Sequence, residues 1–173
     1  MSGDPREAFE VRRLRPADLG SFQAGMPAWN SREYAKRLAA QERGLLVQEI
    51  AWSGEDPVGS AMLVLPGHPE WSIMAHRENA PEVRDVKTAP AWRRRGVATS
   101  LMRTLEDDAR ALGFARIGLS VGTDAGFEGA RALYRGLGYR YARGPLITSV
   151  ALEAEDGSRM AVGGVMNYLV KDL

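Results

Sequence analysis

Apolar and polar side chains alternate in several short stretches of the N-terminal half, a pattern typical of half-buried β-strands. FEVRRL alternates first, and the RPADLGSF that follows predicts a turn leading into a short helix. Ser31 can cap a second helix over SREYAKRLAA. GLLVQEIAW and PVGSAMLVL are two further strand-like stretches, and the SGED between them contains the turn formers Gly and Asp, so together they predict a β-hairpin.

Another alternating stretch, EVRDVKT, follows an irregular segment at residues 66–81 that contains three prolines and both histidines. Such a long connection is typical of an active site or an interface, and a solvated loop is the alternative. A strand over EVRDVKT divides its side chains between two faces. The expected faces are Glu82, Arg84, Val86 and Thr88 on one side and Val83, Asp85 and Lys87 on the other.

Two amphipathic helices are predicted in the C-terminal half, because apolar residues recur at helical spacing over 98–112 and again over 130–137. A glycine ends each pattern. ARIGLSV predicts a buried strand between them, and YRYARG and VGGVMNYLV predict two more, before and after an acidic turn at EAEDGS. The order of elements over 82–143 favours a βαβ unit around parallel strands, so the predicted fold class is mixed α/β.

Composition excludes several classes of protein. The 173 residues are 45% hydrophobic and 26% charged, which is typical of one soluble domain, expected to span residues 1–173. The net charge of +1 argues against a nucleic-acid partner. The absence of cysteine excludes disulfides and thiolate ligands, and with two histidines no metal site is expected. Neither a secretory signal nor a membrane-spanning apolar run is visible, so cytoplasmic residence and no membrane partner are predicted.

The run WRRRGVATSLM places three arginines in front of the longest predicted helix. A helix N-terminus is already partly positive, so cations that no anion neutralises are unfavourable there. No Ser, Thr, Asp or Asn stands at the expected cap position, which leaves the amides of Gly96, Val97, Ala98 and Thr99 without a local acceptor. A bound phosphate or pyrophosphate would accept hydrogen bonds from the free amides and neutralise the arginines. A solvated basic turn is the alternative.

The same run, extended to VKTAPAWRRRGVATSLM, resembles the acetyl-CoA signature Q/R-x-x-G-x-G/A of the GNAT superfamily of N-acetyltransferases, with Arg93, Gly96 and Ala98 at the fixed positions. A second segment, ARALYRGLGY, is similar to the family's N-x-x-A-x-x-L-Y-x-x-x-G-F. Phe127 stands at the asparagine position of that motif, and Asp124 is the candidate substitute. The resemblance implies a GNAT acyltransferase fold, in which helices flank a central mixed sheet, and acetyl-CoA as co-substrate.

The resemblance also implies which residues bind the co-substrate. The backbone of the strand around Val86 and Thr88 would pair with the pantetheine arm, and the turn at 94–99 would hold the pyrophosphate, with Arg93 less directly involved. The implied cofactor-binding residues are Val86, Lys87, Thr88, Arg93, Arg94, Arg95, Gly96, Val97, Ala98 and Thr99.

Acetyl transfer to an amine needs a proton acceptor for the amine and a proton donor for the thiolate that leaves. Tyr134 resembles the family's general acid, and a tyrosine packed in the core is the alternative. Glu82 resembles the glutamate base of several GNAT enzymes; it could instead pair with a neighbouring cation, and Glu78, His76 or water are the other candidate bases. Because the chain lacks cysteine, direct attack by the amine is favoured over an acetyl-Cys intermediate.

These inferences predict an N-acetyltransferase that acts on a primary amine of an unidentified small molecule. A protein or peptide amine as acceptor, or a non-catalytic acyl-CoA-binding module, are the alternatives. A homodimer is suggested only by the family resemblance. Gly118-Leu-Ser-Val-Gly122 also matches the nucleophile motif of serine hydrolases, but no histidine follows Ser120, so we expect Ser120 to be an ordinary strand residue.

Overall fold

The computed structural model describes residues 8–21, 31–69, 78–153 and 158–173. The predicted base candidate His76 and most of the predicted EAEDGS turn lie outside these residues. The helices and strands are β1 (Glu10–Arg13), α1 (Ser31–Glu42), β2 (Leu46–Ser53), β3 (Asp56–Val64), β4 (Glu82–Thr88), α2 (Val97–Ala111), β5 (Arg116–Gly122), α3 (Glu128–Gly136), β6 (Arg140–Glu153) and β7 (Arg159–Asp172).

The strands form one seven-stranded sheet in the order β1-β2-β3-β4-β5-β7-β6. Neighbours are antiparallel except β4 and β5, which are parallel, so the predicted hairpin and the predicted parallel pair are both confirmed. β7 lies between β5 and β6 and is antiparallel to both. The predicted mixed α/β class is therefore confirmed, with a sheet that is mostly antiparallel.

The two faces of the sheet carry different helices. α2 and α3 cover one face, which we call the α2 face, and their apolar side chains join those of the sheet in the main core. α1 covers part of the other face, the α1 face, where Tyr34 packs with Leu14, Ile50 and Trp52. No helix among the described residues is long and apolar enough to cross a membrane.

A β-bulge in β4 overturns the strict alternation expected for EVRDVKT. Lys87 pairs with Ser60 and Arg84 pairs with Met62, so β4 has one residue more than β3 between these pairs. Asp85 has a φ of 56°, a left-handed conformation that Asp and Asn tolerate better than most residues. The extra residue reverses the alternation, because Val86 packs against the main core on the α2 face, as Val83 does. The prediction that Val86 shares a face with Glu82 is therefore wrong.

Candidate active site

The N-terminus of α2 has no side-chain cap. Gly96 is the cap residue, with a φ of 86°, and the first bond of the helix runs from the Ser100 amide to the Gly96 carbonyl at 2.9 Å. The backbone amides of residues 94–99 donate no hydrogen bond of good geometry to any described residue. Consecutive free amides at the positive end of a helix are an anion-binding arrangement.

The three arginines before α2 have different surroundings, although all are exposed. The amide of Arg93 donates to the carbonyl of Pro90 at 3.3 Å, so Arg93 closes the preceding turn. Arg94 has a left-handed φ of 64°, and the guanidinium of Arg95 lies 5.1 Å from the centre of the Trp92 ring. A Cβ added at Gly96 would have no heavy atom within 4 Å, so the approach to the free amides is open. Open amides beside exposed guanidinium groups are an arrangement that favours an anion such as phosphate or diphosphate.

β4 and β5 separate at the same edge of the sheet. They pair only through Glu82 with Gly118 and Val83 with Leu119, and no pairing continues towards their C-terminal ends. The Ala89 amide donates to β3 at 2.9 Å, and backbone groups alternate along a strand. The backbone groups of residues 86 and 88 therefore point away from β3, towards this opening.

Val97 and Lys87 do not present their side chains to the predicted cofactor site. Val97 is 1% exposed and packs in the core, so it can contribute only its amide. The ammonium group of Lys87 lies 2.7 Å from the carboxylate of Asp85, on the α1 face.

Glu82 lies at the closed end of the opening, on the α1 face. It is 3% exposed, and Ser120 Oγ donates a hydrogen bond to its Oε1 at 3.0 Å. Burial raises the pKa of Glu82, and Arg84 and Ser120 partly oppose the rise. The other carboxylate oxygen accepts no hydrogen bond from the described residues, so Glu82 has a free position for a proton. The alternative base Glu78 instead forms an ion pair with Arg143 at 2.9 Å.

Tyr134 lies in α3, on the opposite face of the sheet from Glu82. It belongs to the main core, is 8% exposed, and makes an edge contact with Tyr139 at 6.1 Å between ring centres. Burial raises the pKa of Tyr134 to about 12, and its hydroxyl bonds to no described residue. The structure thus does not bring Glu82 and Tyr134 together on one face, and the opening between β4 and β5 is where the two faces meet.

Phe127 stands at the start of α3, where the family motif has an asparagine, and other polar residues hold the backbone there. Asp124 Oδ1 accepts a hydrogen bond from the Gly126 amide at 2.9 Å and so caps the turn before α3. Arg131 Nη1 donates to the carbonyls of Gly122 at 2.7 Å and Asp124 at 2.8 Å. Asp124 therefore stabilises the helix start, whereas its substitution for the motif's asparagine stays a prediction.

Two polar residues near this site were not predicted from the sequence. Asp85 bonds to the nearly buried Arg37 at 2.7 Å, and an acidic residue inside a strand pattern was the available signal. Tyr168 is fully buried beside Ser120 in the sheet, and the sequence gives no signal for that pairing.

A nearby cavity and the arrangement of possible metal ligands help to define the extent of the site. A shallow cavity of about 120 Å³ lies between α3 and the sheet, and its lining residues, which include Arg131 and Asn167, contain neither Glu82 nor Tyr134. No group of three or more His, Asp or Glu residues among the described residues could hold a metal ion.

A family model described as the acetyltransferase (GNAT) family matches residues 11–139, about three quarters of the chain. The chain belongs to this family. The resemblance based on the two motifs is thus confirmed, and the match spans β4, the opening and both helices of the α2 face.

This GNAT chain is similar to a bacterial protein over part of its length and to several solved structures over most of it. It is 33% identical over 60 residues to an uncharacterized N-acetyltransferase, YsnE, of Bacillus subtilis; the match covers 35% of this chain and 40% of that protein's length. A ribosomal-protein-alanine N-acetyltransferase structure from Brucella melitensis has a TM-score of 0.67 at 16% identity and covers 95% of this chain and 99% of its own. An N-acetyltransferase structure from Staphylococcus aureus has a TM-score of 0.68 at 13% identity, covering 95% and 98%. These structures show that the fold is shared.

Proposed function

We propose that this chain is an acetyl-CoA-dependent N-acetyltransferase that transfers the acetyl group directly to the primary amine of a small molecule. One observation carries the proposal. The free amides of residues 94–99, with the exposed arginines, lie at the edge of the sheet where β4 and β5 separate. The diphosphate of acetyl-CoA matches this turn, and the opening continues from it towards Glu82.

The proposed roles follow from these positions. The amides of 94–99 and the side chains of Arg94 and Arg95 hold the diphosphate, and the backbone of Val86 and Thr88 pairs with the pantetheine arm. Bound acetyl-CoA supplies an activated thioester. A backbone amide of β4 near Val86 polarises its carbonyl oxygen.

The proposed proton transfers take place on opposite faces of the sheet. On the α1 face, the free carboxylate oxygen of Glu82 takes a proton from the protonated amine, which becomes a neutral nucleophile. On the α2 face, the Tyr134 hydroxyl gives a hydrogen bond or a proton to the departing thiolate. Because the two groups act on different atoms, they need to reach a common opening rather than each other.

Charge reversal tests the binding turn. We expect Arg94→Glu and Arg95→Glu each to weaken CoA binding roughly tenfold or more in calorimetry, because each change removes a charge-assisted contact and adds repulsion. Arg103→Glu is the matched control, since Arg103 is an exposed arginine of α2 without an ion pair to the described residues. If the parent protein does not bind CoA, or if the three variants bind it equally, the proposed turn is wrong.

Release of CoA in the presence of amines tests catalysis and the acceptor. The panel should contain small primary amines and a peptide with a free alanine N-terminus, because two similar structures are those of ribosomal-protein alanine N-acetyltransferases. Turnover with small amines supports the proposal, whereas turnover with the peptide alone supports a protein acceptor. CoA binding without turnover of any amine would indicate a non-catalytic module.

A single domain over 1–173, cytoplasmic residence and a homodimer stay predictions.

A further inference from the structure

Four residues form a row across three neighbouring strands on the α1 face. Glu82 of β4 is the partner of Gly118 in β5, and Ser120 of β5 is the partner of Tyr168 in β7. The Ser120 hydroxyl already bonds to one carboxylate oxygen of Glu82. Tyr168 is thus separated from Glu82 only by the strand that contributes Gly118 and Ser120.

The Tyr168 ring leans over Gly118, towards β4. A Cβ added at Gly118 would overlap the Tyr168 hydroxyl oxygen, so only glycine leaves room for that oxygen. Since neighbouring strands lie about 4.8 Å apart, the hydroxyl lies roughly one strand spacing from the backbone of Glu82. We expect a change of side-chain rotamer at Glu82 to close the remaining distance.

The Tyr168 hydroxyl is buried and has no hydrogen-bond partner among the described residues. A buried hydroxyl without a partner costs about 1–3 kcal/mol, so its environment favours any state that provides an acceptor. An ionised carboxylate is such an acceptor, because its two oxygens can accept several hydrogen bonds. Ser120 uses one of these positions on Glu82, and the other oxygen is free.

We propose that Tyr168 is a positioning residue for Glu82, and that its hydroxyl donates a hydrogen bond to the Glu82 carboxylate when this carboxylate is ionised. The inference rests on the proposed role of Glu82 as base. Before transfer, Ser120 and Tyr168 hold the anionic carboxylate; the amine then gives one proton to it, leaving a neutral amine and a neutral carboxyl group.

Other charged groups near this row set the background of the titration. Arg84, on β4 itself, favours the ionised form of Glu82. From the neighbouring elements, Glu78 and Arg116 act on the Tyr168 hydroxyl with opposite signs, and Arg143 of β6 is bound to Glu78. Burial raises the pKa of Tyr168, so this hydroxyl stays protonated and remains a donor throughout the range in which Glu82 titrates.

The decisive measurement is the pKa of Glu82. Carbon NMR of protein labelled at the glutamate carboxyl groups gives this pKa, and Glu82→Gln identifies which signal belongs to Glu82. We expect Tyr168→Phe to raise this pKa by roughly one unit, because a hydrogen bond to a charged group is lost. The low-pH limb of kcat/KM should move upwards by the same amount. Tyr139→Phe is the matched control, since Tyr139 is also a buried tyrosine, but lies on the α2 face and should leave the pKa of Glu82 unchanged.

The two readouts separate this inference from the proposed function. An unchanged pKa of Glu82 in a folded Tyr168→Phe protein would overturn the inference, whatever its activity. A raised pKa together with full activity of Glu82→Gln would support the hydrogen bond and reject Glu82 as the base. Ser120→Ala is a second variant, which should raise the same pKa by removing the other donor.

Discussion

The ion pair between Asp85 and Arg37 fixes the β-bulge of β4 to α1, and its removal should destabilise the fold. Arg37 Nη1 donates to Asp85 Oδ2 at 2.7 Å, and the side chains are 8% and 21% exposed. Asp85→Asn is the informative change, because Asn also tolerates the left-handed backbone that residue 85 adopts. The variant therefore removes the charge and leaves the bulge possible.

The expected loss follows from the partners that remain. Removing one member of a buried ion pair costs about 3–5 kcal/mol, because the other charge is left buried. Arg37 keeps Glu33 at 3.6 Å and the amide oxygen of Gln48 at 3.3 Å, so we expect the lower end, about 3 kcal/mol. For a domain of this size the midpoint of thermal unfolding should fall by roughly 6–12 °C.

Urea unfolding followed by tryptophan fluorescence measures this loss, since Trp52 is buried in the adjacent cluster. Arg37 holds the pKa of Asp85 below its usual value despite burial, so the stabilisation is present above the unfolded pKa of about 3.9 and is lost as pH falls through the lower folded value. The difference between parent and Asp85→Asn should be constant above pH 5 and shrink below pH 4. A loss under about 0.5 kcal/mol with no pH dependence would refute the reasoning.

Two further predictions concern a hydroxyl and a carboxylate. Tyr134→Phe should lower kcat by about 100-fold while leaving CoA affinity and stability nearly unchanged, because it removes the proposed acid and keeps the ring; equal kcat in steady-state kinetics would exclude the role. Burial and the neighbouring Asp108 raise the pKa of Glu49 to about 7, so Glu49 weakens the fold increasingly as pH rises from its unfolded value towards neutrality. Glu49→Gln should therefore become more stable relative to the parent between pH 5 and pH 8, by on the order of 2 kcal/mol in urea titrations, and a parallel pH dependence of the two proteins would contradict this.

Local patterns predicted the parts of the fold that depend on local physics. The strands and the helices of the α2 face follow from side-chain periodicity, which records what each element buries. The missing cap of α2 could be read directly, because a cap depends on the identity of a single residue, here Gly96. The motif that contains Gly96 then identified the family, as the family model confirmed.

Features that depend on pairing between distant strands were not predictable in the same way. The bulge at Asp85 exists only relative to β3, so a single strand pattern cannot show it. Glu82 and Tyr134 were predicted as partners in one reaction, and their opposite faces depend on which residues of β4 and β5 pair. Tyr168 reaches the row at Glu82 only because β7 lies beside β5, 48 residues beyond Ser120 in the sequence.

The position of β7 has a consequence for folding. This strand follows the other six described strands in the sequence, yet it lies inside the sheet, where it joins β5 to β6. During synthesis β6 emerges first and has no neighbour to pair with until β7 arrives, so the sheet is completed late and through contacts between distant segments. Because β7 also carries Tyr168, the chain should gain stability and complete the row of residues beside Glu82 in the same step.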